Sequence, residues 1–137
     1  DFSKNAFKAV KMAHRLREEA DAEIHCQHVF SIPAHYFPYI PVKGMQKSML
    51  KKARQSFQKF QKQLAREGLP AGECSFTFNE GRTVAETVYQ HAIGQNINLI
   101  IIGSRGRSGL PAVFVGSVAL QLLRFDFHIP LMIVRQN

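Results

Sequence analysis

Ile97-Asn98-Leu99-Ile100-Ile101-Ile102-Gly103-Ser104-Arg105-Gly106 is the stretch on which the reading of this chain turns. A nearly continuous aliphatic run ends in a glycine turn, and Gly116-Ser117 follows ten residues after Gly106. Aliphatic residues without alternation suit a strand buried on both faces, the mark of a central parallel strand. Open α/β sheets bind ligands beyond the carboxyl ends of such strands. Glycine lets a backbone come close and take positive φ, and grouped amides form an anion nest. The start of the next helix adds further donors. The segment reads as a cradle for the phosphates of a nucleotide.

Working outward, Val118, Leu122 and Leu123 mark a helix, and residues 129–134 a last strand, with Pro130 confined to an end or an edge. Upstream, Thr83 and Glu86 have capping-box spacing before a helix that carries Val84, Val88 and Ala92 and stops at Gly94. Cys74, Phe76 and Phe78 alternate with Ser75 and Thr77, a half-polar pattern that fits a sheet edge. Met49, Ala53, Phe57, Phe60 and Leu64 form one helical stripe that Gly68 and Pro70 end. Residues 31–41 hold three prolines and three aromatics, which reads as a loop folded over something, such as a ligand. Residues 23–30 read as a strand with Ile24, Cys26 and His28 on one face. Ser3 has the place of an N-cap, with Phe2 and Phe7 as a hydrophobic staple, for a first helix over residues 4–19.

Four helix–strand alternations predict an α/β fold with parallel strands and helices on both faces. A doubly wound domain normally opens on a strand, whereas this chain opens on a helix cap. Its 137 residues suit a single domain over 1–137, with neither an internal repeat nor a low-complexity tract.

No apolar run approaches the ~20 residues that span a bilayer, and Asp1-Phe2-Ser3-Lys4 has no signal-peptide pattern. The expectation is a soluble cytoplasmic protein. Cys26 and Cys74 lie in β-like runs without metal-ligand spacing, so two buried reduced thiols are expected rather than a disulfide. The net charge is +8, and residues 43–66 carry eight cations and no acid. Such a stripe could attract an anionic partner, but it is more often a solvated helix face, the reading preferred here.

Several sites are absent. There is no G-x-x-x-x-G-K-[ST] loop, no G-x-G-x-x-G and no G-x-S-x-G elbow. The six histidines show neither H-x-x-x-H nor H-E-x-x-H grouping, so no metal site is expected. His28, near a strand end, could edge a pocket, and strand alternation explains it equally well.

Gly103, Gly106, Gly116 and Ser117 fill the pattern G-x2-G-x9-G-[ST], and in this the chain resembles the universal stress protein family. Asp1-Phe2-Ser3 with Ala6, Ala9 and Val10 resembles that family's entry into its first helix, and His28-Val29 the end of its second strand. The resemblance implies an open parallel five-stranded sheet in the order 3-2-1-4-5, with the central first strand supplied by apolar residues ahead of Asp1. An intact mass equal to 15.5 kDa would refute that expectation. The resemblance also implies ATP, with Mg²⁺ where phosphates need polarising, across the carboxyl ends of the strands. On that carry-over Asp1 meets the ribose or lies near the adenine, and Val29 offers backbone groups to the adenine edge. Ile102, Gly103 and Gly106 approach ribose and phosphates, while Gly116 and Ser117 hold the phosphates. Arg105 would pair with a phosphate, whereas Arg107 faces water equally well. Pro111-Ala112-Val113-Phe114-Val115 departs from the family by being stiffer and more apolar.

No paired acids suggest catalysis, so the expected role is an ATP-dependent regulator, with slow hydrolysis as the most it would do. A homodimer through the final strand is expected, with a protein partner downstream. Two alternatives stand beside it. One is a dimeric interaction module whose glycines serve only tight turns. The other is a nucleic-acid binder using the basic helix; its objection is that Phe57 and Phe60 fall on the inward stripe.

Overall fold

A computed structural model describes residues 1–31, 42–70, 72–106, 111, 114–125 and 128–135. Its elements are α1 (Lys4–Ala20), β1 (Cys26–Phe30), α2 (Val42–Arg66), β2 (Cys74–Phe78), α3 (Val84–Gly94), β3 (Ile100–Gly103), α4 (Ser117–Leu122) and β4 (Leu131–Val134). The expected α/β alternation is what forms. The loop expected over residues 31–41 lies almost wholly outside the described residues, and so does Arg107.

The strands pair in parallel as two separate two-stranded sheets. In one, β1 lies beside β2 with Cys26 opposite Cys74 and Phe30 opposite Phe78. In the other, β3 lies beside β4 with Ile100 opposite Leu131 and Gly103 opposite Val134. These are the 2–3 and 4–5 neighbours of the expected order, and no described strand joins β1 to β3. α1 packs on β3 and β4, and α3 packs on β1 and α4.

Local chemistry sets the ends of the elements. The Ser3 hydroxyl accepts from the Ala6 amide at 3.2 Å and opens α1. The Thr83–Glu86 capping box forms in both directions, at 3.1 and 2.7 Å. Three strands start later than their apolar runs. The Ile97 amide returns to the Ala92 carbonyl at 2.9 Å, which ties that stretch to the end of α3 before the ladder begins. β1 starts at Cys26 because its partner starts at Cys74. Pro130 stands just before β4, where its carbonyl accepts from the Ile100 amide at 3.0 Å.

Two packing regimes hold the molecule together. Beside β1 and β2, aromatic rings dominate: Phe30 and Phe78 stack at 4.6 Å, and Phe57 meets Phe76 edge-on at 6.2 Å. Phe2 and Phe7 each meet Phe60, at 5.7 Å, so the two rings of the expected staple are bridged by a third instead of packing on each other. Centroid separations of this size are the favourable range for ring pairs. α3 packs against α4, and Ala85 and Ala92 of α3 and Ala119 and Leu122 of α4 are buried.

Candidate functional site

The glycine turn after β3 is built against the first residues of the chain. Phe2 takes φ 56, a left-handed conformation that a bulky side chain rarely adopts. Such an outlier costs on the order of 1–3 kcal/mol and persists only where its surroundings fix it. Here they do. The Phe2 ring stacks on His28 of β1 at 4.8 Å and 11°, while the Ser3 amide donates to the Asp1 carboxylate at 3.1 Å. Asp1 is thereby turned onto Gly106, where its Oδ2 lies in the space a Cβ would take.

Gly103 has a different reason to be glycine. A Cβ there would lie 2.7 Å from the Asn5 Cβ and 2.8 Å from the Asn5 backbone carbon. The first turn of α1 therefore rests directly on the end of β3. Asn5 is buried, and its Nδ2 donates to the Arg105 carbonyl at 3.0 Å. Its Oδ1 is also buried and has no hydrogen-bond partner among the described residues. Buried polar atoms are nearly always satisfied, so this acceptor marks a place with unused bonding capacity.

Ser104, 3% exposed, closes the base of the loop. Its amide donates to the Val134 carbonyl at 2.8 Å, and its carbonyl accepts from the Gly116 amide at 2.6 Å. A Cβ on Gly116 would stand 3.3 Å from both the Arg105 Cα and the Ser104 carbonyl oxygen. Gly116 caps α4 with φ −64, and the exposed Ser117 begins that helix. The Phe114 amide reaches the Pro111 carbonyl at 3.1 Å, and the Phe114 side chain is exposed.

The structure thus brings Asp1, Gly103, Arg105, Gly106, Gly116 and Ser117 into one neighbourhood, with Ile102 paired to Ile133 just below. Val29 stands apart in the other sheet, opposite Thr77. The residues that reach both sheets are 1–5, through the Phe2–His28 stack and the Asn5–Gly103 contact. Two details of the sequence reading change. The motif glycines do not take positive φ, which among described glycines belongs to Gly68 and Gly81. The Gly116 amide is committed to Ser104, so its missing side chain serves close packing. Asn5 and Ser104 were invisible to the motif. The signal for Asn5 was a polar residue among the small apolar residues of α1's inward face.

A cavity of about 380 Å³ lies elsewhere, at the amino ends of β1 and β2. His14, Arg17, Cys26, Phe57, Leu64 and Glu73 are among its walls, and none of the motif residues lines it. Cys26 and Cys74 are unbridged, each is half-buried where burial was expected, and the register sets them side by side. Burial pushes both thiols up, Cys74 to about 11 with Cys26 adding to the rise. Among the described residues no three His, Cys, Asp or Glu side chains form a metal-binding group. No described helix is long and apolar enough to cross a membrane.

Comparison with known proteins accords with this architecture. The sequence profile described as "Universal stress protein family" matches residues 1–135. Universal stress protein MJ0531 of Methanocaldococcus jannaschii is 25% identical, covering 99% of this chain and 78% of that protein. Among solved structures, universal stress protein UspA from Lactobacillus plantarum superposes with a TM-score of 0.78 at 20% identity, covering 98% of this chain and 92% of that one. Hypothetical protein MJ0577, the subject of a structure-based assignment of biochemical function, superposes with a TM-score of 0.77 at 19% identity, covering 100% and 92%. The profile match over nearly the whole length, joined to the shared α/β architecture, makes this chain a member of the universal stress protein family.

Proposed function

We propose that the protein binds ATP or a related adenine nucleotide at the glycine turn and acts as a nucleotide-dependent regulator in a stress response. The observation that carries this reading is the convergence of Asp1, Gly106 and Ser117 around a loop closed by the Ser104–Gly116 hydrogen bond. A carboxylate is a natural acceptor for ribose hydroxyls. The Ser117 hydroxyl and the Arg105 guanidinium are donors suited to phosphate oxygens. The buried Asn5 Oδ1 has capacity for a further donor from a ligand or its water. Mg²⁺, where present, would be held by the phosphates. Regulation requires that nucleotide binds two conformations of the protein unequally.

The first test is to denature freshly purified protein and identify released small molecules by mass spectrometry. Calorimetric titration with ATP and Mg²⁺ follows. Released adenine nucleotide, and weakened binding in Ser117→Ala and Asp1→Asn, are the expected results. No release together with no binding at millimolar ATP would overturn the proposal. Gly116→Val is a poorer probe, because its side chain would press on Arg105 and Ser104 whatever the ligand.

A second reading has its own observation. A Cβ added to any of the three motif glycines would meet the protein's own atoms, as in an interaction module that uses them for packing alone. β4 is paired on one edge only among the described residues, and Leu120 on α4 and Leu123 at its C-cap stand exposed. Both suit a homodimer. Dimerisation does not separate the readings, but the nucleotide content of freshly purified protein does, since a packing-only motif releases none.

A further inference from the structure

We propose that the outer face of α2 is a docking surface for duplex nucleic acid, bound without regard to base sequence. The helix is amphipathic in charge as well as in apolarity. Ala53, Phe60 and Leu64 are buried and Phe57 half-buried on one side. Lys47, Lys51, Lys52, Arg54, Lys59, Lys62 and Arg66 are all exposed. At 3.6 residues per turn these cations occupy an arc of about 160°, centred opposite the buried stripe. From Lys47 to Arg66 the row is about 28 Å long at 1.5 Å per residue. α2 itself contains no acid. Glu67, the acid that follows, is engaged by Lys11 of α1 at 2.5 Å.

The chemistry of the arc narrows the partner. The spaces between its cations are filled by Ser48, Gln55, Gln58 and Ala65, all exposed, and no aromatic ring stands among them. Unpaired bases are gripped by stacking on rings, which this face does not offer. Protein interfaces rely on desolvated aromatic or apolar anchors and are poor in lysine. Interfacial membrane helices insert apolar side chains, also missing here. Lysine, arginine, glutamine and serine are the side chains that contact the phosphodiester backbone.

The width of the arc favours a duplex over a flat anionic sheet. A planar surface engages only the crest, Lys51 and Lys62, whereas this helix also carries cations on both flanks. Arg54 and Lys47 lie on one flank, and Lys59 and Lys52 on the other. A helix is about 10–12 Å across with its side chains, and the major groove of DNA is about 12 Å wide. A cationic helix in or along that groove meets phosphates on both sides. Between Gly44 and Lys52 the exposed residues are Gly44, Lys47, Ser48, Lys51 and Lys52, while Met45, Gln46, Met49 and Leu50 are half-buried.

The test uses the whole chain and a random-sequence 24-base-pair duplex, with affinity read by fluorescence anisotropy at 50 and 200 mM salt. Neutralising five to seven phosphates gives a slope of log K against log salt of about −4.5 to −6. The variant Lys47→Gln/Lys51→Gln/Lys59→Gln/Lys62→Gln should bind at least about tenfold more weakly at 50 mM salt and flatten the slope by about three to four. The corresponding four-arginine variant should keep both. All four positions are exposed, so a matching thermal melt checks that the fold is unchanged. No duplex binding at 50 mM salt, or equal binding by the glutamine variant, would overturn the proposal. So would equal affinity for single-stranded DNA of the same sequence, or preference for phosphatidylserine vesicles over duplex. Titration with ATP should be indifferent to the glutamine variant, which separates this surface from the glycine turn.

Discussion

The two sheets of this protein solve the same packing problem with opposite materials. The β1–β2 pair is covered by rings: Phe2 stacks on His28, Phe57 meets Phe76, and Phe60 backs Phe2. The β3–β4 pair is aliphatic, and α1 approaches it so closely that Gly103 cannot carry a Cβ. Where rings fill the layer, a helix stands off and the side chains decide the fit. Where the backbone itself is the contact, one hydrogen in place of a methyl decides it. A glycine motif can therefore be fixed by packing as firmly as by a ligand.

Substitutions can break or sharpen this contrast. The largest effect is expected in the ring layer, where Phe60→Ala should cost about 3–5 kcal/mol in urea unfolding. Phe60 is 5% exposed and meets two rings. A loss under 1 kcal/mol would mean that the ring layer is not what holds α1 and α2 to β1. Next comes Gly103→Ala, whose added methyl presses on the Asn5 backbone and should cost about 1–3 kcal/mol. Gly106→Ala should cost less, because its methyl meets only the movable Asp1 carboxylate. Equal losses at the two glycines would erase the distinction between backbone and side-chain contact. Thr83→Ala removes a capping box shared by neither layer and should cost about 1 kcal/mol, read as a lower melting temperature.

The remaining effect belongs to pH. The Cys74 thiol is raised by burial from 9.0 to about 11, so the unfolded chain gives up that proton first. The thiol's contribution is fully present below pH 9.0 and is lost as pH rises through about 11. Stability should decline over that window, and Cys74→Ser should flatten the decline. An identical alkaline limb in the variant would assign the loss to other groups.

Much of this was legible in the chain. Helix caps at Ser3 and Thr83, the stripe from Met49 to Leu64, and the proline ahead of β4 depend on neighbours a few residues away. Their chemistry is written locally. Strand limits were less legible, because a strand lasts only as long as its partner: Ile97 to Leu99 are strand-like yet precede the ladder. The site divides in the same way. The spacing of Gly103, Gly106, Gly116 and Ser117 marked the turn, but not that the Gly116 amide is already used or that Asn5 lies beneath it.

By itself the sequence determined the α/β alternation, the family, and the charge that sets one face of α2 apart, since periodicity and composition are properties of consecutive residues. Only the tertiary structure decided that Phe2 bends Asp1 onto Gly106, that Cys26 faces Cys74, and in which register β1 pairs with β2 and β3 with β4. Those facts depend on contacts between segments far apart in the chain, where a separation of tenths of an ångström selects the residue and no local pattern records it.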